Sequence, residues 1–174
     1  QYSTYILDNI ITLPSGTVFV ATDSIVSGNT IAAGSFFMGA TNIGGGSSGF
    51  TVERNSLTSL SGSAAIAFQF KGMGIPVSGA KPLCKIADNN LVGSPATSLV
   101  TLEFTSGSAI GDMIFARNKC LYRAPASGQS IISVLGNVAT ISGCSYEIKG
   151  NIFDVAAQSG SSTIASGVVL SDGY

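Results

Sequence analysis

Histidine is absent from this chain. Ser-His-Asp and Cys-His arrangements and every imidazole metal ligand go with it. Acid–base chemistry would fall to the carboxylates Asp8, Asp23, Glu53, Asp88, Glu103, Asp112, Glu147, Asp154 and Asp172, which stand isolated along the chain. A glycosidase needs two carboxyl groups flanking one bond, and no local spacing here supplies such a pair. Tryptophan is also absent, which removes the commonest flat platform for stacking a sugar. The chemistry-bearing residues therefore point away from an enzyme, with no catalytic residue, no cofactor and no metal expected.

Four lesser constellations remain. Gly44-Gly45-Gly46-Ser47-Ser48-Gly49 has the glycine content of a phosphate loop, but Phe50-Thr51-Val52 follows as a strand where such a loop needs a helix N-terminus. It reads as a surface loop, and Asn42 to Phe50 is the stretch a binding module would use. Asp88-Asn89-Asn90 reads as an Asx-rich turn, with a weak calcium cluster as the alternative. Arg117, Lys119 and Arg123 are the one concentration of positive charge. At strand spacing the first two share a face, as a cation-guarded edge strand or a seat for an acidic sugar or carboxylate. Cys84, Cys120 and Cys144 lack zinc or redox spacing. In an oxidising compartment one disulfide, Cys120 with Cys144, plus one buried or intermolecular thiol is the simplest arrangement.

The elements that must carry these residues are strands. Ser-Gly dipeptides, recurring at Ser15, Ser27, Ser48, Ser61, Ser78, Ser106, Ser127, Ser142, Ser159 and Ser166, mark turns. Their irregular spacing argues against a strict solenoid and for a sandwich. Period-two alternation puts Phe68 and Phe70, Val100, Leu102 and Phe104, and Tyr146 and Ile148 on inward faces. A bulge at Gly150 would reverse the phase and turn Phe153 and Val155 inward. Thr17 to Ala21 and Ile131 to Leu135 are apolar on both faces and suit central strands. No helical stripe is present. The expectation is an all-β, single-domain β-sandwich or jelly-roll-like fold of about 11–13 strands.

Residues 1–13 stand apart from a body spanning 14–174. Tyr2 to Leu13 has no Gly or Pro and is apolar on both sides, with Tyr5, Leu7, Ile11 and Leu13 on one face and Tyr2, Ile6 and Ile10 on the other. Such a strand wants burial on both sides, either within its own domain or in a groove of a neighbouring copy by strand addition.

Composition bounds the partners. Lys and Arg number 8 and Asp and Glu 9, a charged fraction of 10%, against about 25% in ordinary domains. With net charge −1, little repulsion keeps copies apart. Eight scattered cations make no stripe for nucleic acid, and Gly, Ser or Pro interrupts every apolar run short of a membrane span. Gln1 reads as a mature N-terminus left by a removed targeting segment. In this texture (processed, charge-poor, Ser/Gly/Thr-rich, with a two-sided N-terminal strand) the chain is similar to filament subunits of archaeal and bacterial surfaces that polymerise by donated strands. It is similar also to jelly-roll coat proteins of viruses. The likeness covers no specific residue and carries none over. The expectation is a secreted, non-enzymatic structural subunit of an extracellular, cell-surface or virion-surface assembly, partnered by copies of itself. The alternatives are a viral coat protein, or an adhesin whose partner is a surface glycan or receptor.

Overall fold

One short pattern recurs six times: an apolar residue, any residue, then Asp, Gly or Arg, then Asn, any residue, and a second apolar residue. It centres on Asn9, Asn29, Asn55, Asn89, Asn118 and Asn151. The residue before each Asn sits in the left-handed region, with φ of 54° at Asp8, 71° at Gly28, 55° at Arg54, 58° at Asp88, 53° at Arg117 and 62° at Gly150. That conformation turns the chain sharply and costs a non-glycine residue about 1–2 kcal/mol. The pattern is therefore a corner, and the chain turns the same corner six times.

The structure, a computed structural model, describes residues 4–39, 49–72, 81–104, 110–123, 129–137, 143–156 and 166–173. Among these the protein is all-β, with no helix, and the pairings are parallel. Sixteen strands run in order: β1 Thr4–Leu7, β2 Ile10–Val20, β3 Ser24–Ser27, β4 Thr30–Gly39, β5 Gly49–Glu53, β6 Ser56–Ser59, β7 Ile66–Gly72, β8 Leu83–Ala87, β9 Asn90–Gly93, β10 Ser98–Phe104, β11 Ile110–Ala116, β12 Lys119–Arg123, β13 Ser130–Asn137, β14 Gly143–Lys149, β15 Ile152–Ala156 and β16 Ser166–Gly173.

The pairing reveals a coil. One face stacks β1-β3-β5-β8-β11-β14. A second stacks the first halves of β2 and β4 with β6, β9, β12 and β15. A third stacks their second halves with β7, β10, β13 and β16. Each turn of chain thus lays one strand on each of three faces, and the described residues make six coils rising about 4.8 Å apiece. The fold is a parallel β-solenoid, not the expected sandwich or jelly roll. Sixteen strands replace the expected 11–13 because the Asn corners divide segments that read as continuous.

The core is built of columns of like residues. Ile6, Val26, Val52, Ile86, Phe115 and Ile148 stack down the first face. Ile11, Ile31, Leu57, Leu91 and Cys120 stack down the second, and Phe153 continues the register on the last coil, where it is exposed. Phe36, Phe68, Val100 and Ile132 form one column of the third face, and Met38, Phe70, Leu102 and Val134 another. The expected core residues Phe68, Phe70, Val100, Leu102 and Phe104 are buried, and Tyr146 and Ile148 pack against them partly buried. The Tyr146 ring lies 5.4 Å from that of Phe104, and its hydroxyl accepts from the Phe104 N–H at 3.1 Å.

The columns meet at an asparagine ladder. Each of the first five corner asparagines donates its backbone N–H to the side-chain Oδ1 of the Asn one coil on: Asn9 to Asn29 at 2.8 Å, Asn29 to Asn55 at 2.9 Å, Asn55 to Asn89 at 3.0 Å, Asn89 to Asn118 at 3.0 Å and Asn118 to Asn151 at 2.8 Å. The Nδ2 groups reach back to carbonyls of the preceding coil, as Asn55 does to Val26 and Asn89 to Val52, both at 2.9 Å. Asn29, Asn55, Asn89 and Asn118 are buried, so the ladder satisfies polar groups that water cannot reach.

The N-terminal segment belongs to this body. β1 pairs with β3 and β2 with β4 of the same chain, so residues 4–13 form the first two sides of the first coil and are not held out as a separate strand. The Asp8-Asn9 corner also restarts the alternation. Ile6 and Ile11 pack on the core, while Tyr5, Leu7, Ile10 and Leu13 are exposed. Tyr2 lies outside the described residues. Gly150 is likewise a corner, not a bulge. Ile131 to Leu135 does lie in a central strand, between β10 and β16, whereas Thr17–Val20 pairs on one side only.

Candidate functional site

The Asn corner has one residue in the left-handed region at every coil, but the corner between the second and third faces varies in size. The first coil turns there through Pro14-Ser15-Gly16, and the second through Gly34 alone, both inside a continuous strand. The third coil spends residues 60–65 on the same turn. A six-residue turn beside a one-residue turn must project past it. The step opens a groove of about 390 Å3 lined by Ser15, Thr17, Gly34, Ser35, Ser61 and Ser63, with Ala64, Ala65, Ile66 and Gln69 closing one side.

Glycine is required at the floor. A Cβ on Gly34 would lie 2.8 Å from the Gly16 carbonyl oxygen and 3.1 Å from the Ser15 carbonyl carbon, so the close stacking of the first two corners depends on its absence. The Gly34 carbonyl accepts from the Ser59 hydroxyl at 2.8 Å. Thr17 and Ser35, register partners on adjacent strands, share a hydroxyl–hydroxyl bond of 2.7 Å.

Two residues along the same strands, Phe19 and Phe37 are register partners on the outer face, with ring centroids 5.4 Å apart at 50°. Phe37 is also the register partner of Gln69, so the aromatic pair borders the groove. Phe19 is 67% exposed. The nearest ionisable groups on this face, Lys71 and Glu103, pair with each other at 3.3 Å, and Gln69 donates to Glu103 at 3.3 Å. The groove itself holds hydroxyls and one amide and no titratable side chain.

Charge gathers instead on the first face and along the Asn corner. Glu53 takes Lys85 at 2.7 Å and Arg54 at 2.8 Å. Its carboxyl is held below the usual range chiefly by the hydrogen bond from Lys85, against the opposing effect of burial. Arg117 grips Asp88 with two bonds of 2.7 Å, which lowers the Asp88 pKa and raises that of the arginine. Lys81 pairs with Asp112 at 2.6 Å and Lys149 with Glu147 at 2.6 Å. The Asp112 pKa is lowered by the hydrogen bond from Lys81, then by that from Ser145.

The residues singled out in sequence fall differently. Asp88-Asn89-Asn90 is one corner of the ladder, and the Asn89 side chain is occupied by Val52, Asn55 and Asn118. Arg117 and Lys119 do not share a strand face: Arg117 is the corner residue, and Lys119 lies on the second face between Asn90 and Ile152. Cys84, Cys120 and Cys144 are free thiols. Cys120 lies on the second face and Cys144 on the first, so the expected disulfide is not formed. Burial pushes the Cys84 and Cys120 thiols up to about 12. Residues 44–48 of the glycine loop lie outside the described residues. Among the described residues no helix is long and apolar enough to cross a membrane, and no group of three metal-ligating side chains converges.

In comparisons with known proteins, no family model matches the chain, and no curated protein or solved structure matches it.

Proposed function

We propose that this chain is a non-enzymatic structural subunit of an extracellular assembly, and that copies join head to tail, coil upon coil. The observation that carries the reading is the register of the outer coils. Ile10, Thr30, Ser56, Asn90, Lys119 and Ile152 form one outward column. Its two terminal members are isoleucines 84% and 62% exposed. Continuing the stack into a second copy sets Ile152 against Ile10, Phe153 against Ile11 and Ile148 against Ile6. It also aims the Asn151 N–H at the Oδ1 of the next copy's Asn9, extending the ladder. Tyr5, Leu7 and Leu13 line the same edge. These residues act through an exposed edge of the first coil, not through a strand withdrawn from the body. A contact that joins unlike ends does not close on itself, and so it builds a fibre.

Absence of turnover is supported by the chain's lack of histidine and by the pairing of Glu53, Asp88, Glu103, Asp112 and Glu147 with cations. For Glu53, Asp88 and Asp112 these bonds depress the pKa, which makes the carboxylate a weak base at neutral pH. Placement outside the cell rests on the charge-poor composition.

Electron microscopy and sedimentation of the 174-residue chain test the reading. Rods one coil-stack wide are expected. Ile10→Lys and Ile152→Lys, at exposed positions, should each disperse them with the unfolding midpoint unchanged. A chain that stays monomeric at every concentration, or rods indifferent to both substitutions, overturns it.

A further inference from the structure

We infer that the groove between the second and third faces is a binding site for a neutral saccharide, with Phe19 and Phe37 as its stacking platform. Three independent features converge there. The lining presents Ser15, Thr17, Ser35, Ser61, Ser63 and Gln69, groups that both donate and accept hydrogen bonds without carrying charge. The volume, about 390 Å3, falls within the range of about 300–1,000 Å3 typical of ligand clefts. An aromatic pair, Phe19 exposed and Phe37 half-buried, borders it on the same face.

That pairing of an apolar plane with a rim of neutral polar groups matches a pyranose ring, which has an apolar C–H face and an edge of hydroxyls. Phe19, 67% exposed, offers the face, and Gln69, Thr17 and Ser35 lie along the same strands to take the edge. A burial motive for the aromatic pair is weak, since the inner columns of this face hold Phe36 and Phe68 instead.

The electrostatics select against other ligands. A nucleic-acid strand would stack on the same rings, but its phosphates need cations. The nearest, Lys71, is committed to Glu103. An anionic sugar meets the same lack. No residue of the groove titrates between pH 5 and 8, so binding should be flat with pH and weakly dependent on salt.

The test is a titration of the full-length Ile10→Lys chain, whose substitution disperses the rods and lies outside the groove, with maltohexaose, cellohexaose, isomaltohexaose and, as the charged control, hexagalacturonate. Binding is followed by amide NMR shifts. At least one neutral hexasaccharide should bind with a Kd near ~1 mM or tighter. It should shift Thr17, Ser35, Ser63, Gln69 and Phe37 and leave the first face still. Phe19→Ala and Gln69→Ala should each weaken binding by about tenfold, equivalent to about 1.4 kcal/mol. Phe19 is exposed, so its loss should leave the unfolding midpoint in place. The proposal is overturned if none of the neutral sugars shifts the groove, if the shifts map to another face, if Phe19→Ala leaves affinity intact, or if hexagalacturonate binds equally well.

Discussion

Replacing Asn89 by alanine asks whether the ladder closes the coils or merely decorates them. Asn89 Oδ1 accepts from the Asn55 backbone N–H and from Asn55 Nδ2, each at 3.0 Å. Its Nδ2 donates to Val52 O at 2.9 Å and to Asn118 Oδ1 at 3.0 Å. After truncation Asn55 Nδ2 keeps the carbonyls of Val26 and Glu53, and Asn118 Oδ1 keeps the Asn89 N–H. The Asn55 N–H, in a buried corner, loses the Oδ1 that receives it. An unsatisfied buried donor costs about 1–3 kcal/mol, and the bond lost at Val52 adds about 0.5–1.5 kcal/mol. A total of about 2–4 kcal/mol is expected. At about 2–4 °C per kcal/mol for a chain of this size, the Tm should fall by about 5–15 °C. Asn9→Ala is the internal control. Asn9 is exposed at the first coil and gives its bonds at the edge of the stack, so its loss should cost about 0.5 kcal/mol or less. Urea denaturation of both variants, at unchanged m-value, reads the difference. Equal midpoints for the two would refute the view that buried ladder bonds hold the corners.

Three further outcomes follow from the same geometry. Phe68→Ala, at the centre of an inner column, should cost about 3–5 kcal/mol in the same urea assay, whereas Phe19→Ala on the outer face should cost little. With thiol reagent at pH 8, Cys84 and Cys120 should stay silent in the folded protein because burial holds their pKa at about 12, and all three thiols should react in urea. A count of one free thiol in urea without reductant, the other two held in a Cys120–Cys144 disulfide, would contradict the free cysteines. Glu53 and Asp88 have folded pKa values below their usual 4.5 and 3.8 through bonds from Lys85 and Arg117 respectively. Their contribution is present above those usual values and lost as pH falls through the lower folded ones. Stability should therefore decline on acidification below about pH 4.5, and Lys85→Met should flatten that decline in a pH series of thermal melts.

Local alternation made the strands and the buried face legible, because Phe68, Phe70 and Val100, Leu102, Phe104 alternate in any half-buried strand. It could not reveal the partners. Parallel and antiparallel strands share the same period, and only the connection decides between them. The coil was hidden for a related reason. Ser-Gly turns have no period, and the asparagines that do mark each coil recur at separations of 20, 26, 34, 29 and 33 residues. The variable corners absorb the difference in length, so what stays fixed is phase relative to Asn. The six-fold match of apolar residues three before and two after each Asn was the available signal. The groove was beyond local reading, because it is a difference between corner sizes that exists only once the coils lie on one another. Phe19 and Phe37 lie 18 residues apart in sequence, and their adjacency exists only through the β2–β4 register.

The same ladder separations have a consequence for how the chain acquires its structure. Every asparagine meets its partner across one coil, at most 34 residues away, and the closure entropy of such a loop grows only as the logarithm of its length. Successive coils therefore pay nearly equal closing costs and each needs only the coil before it as a template. Folding should be slow to begin, since two coils must come together before either buries its columns, and then propagate coil by coil from that pair. A chain emerging N-terminus first, from a ribosome or through a secretion channel, can add coils in the order in which they appear and need not wait for its last residues.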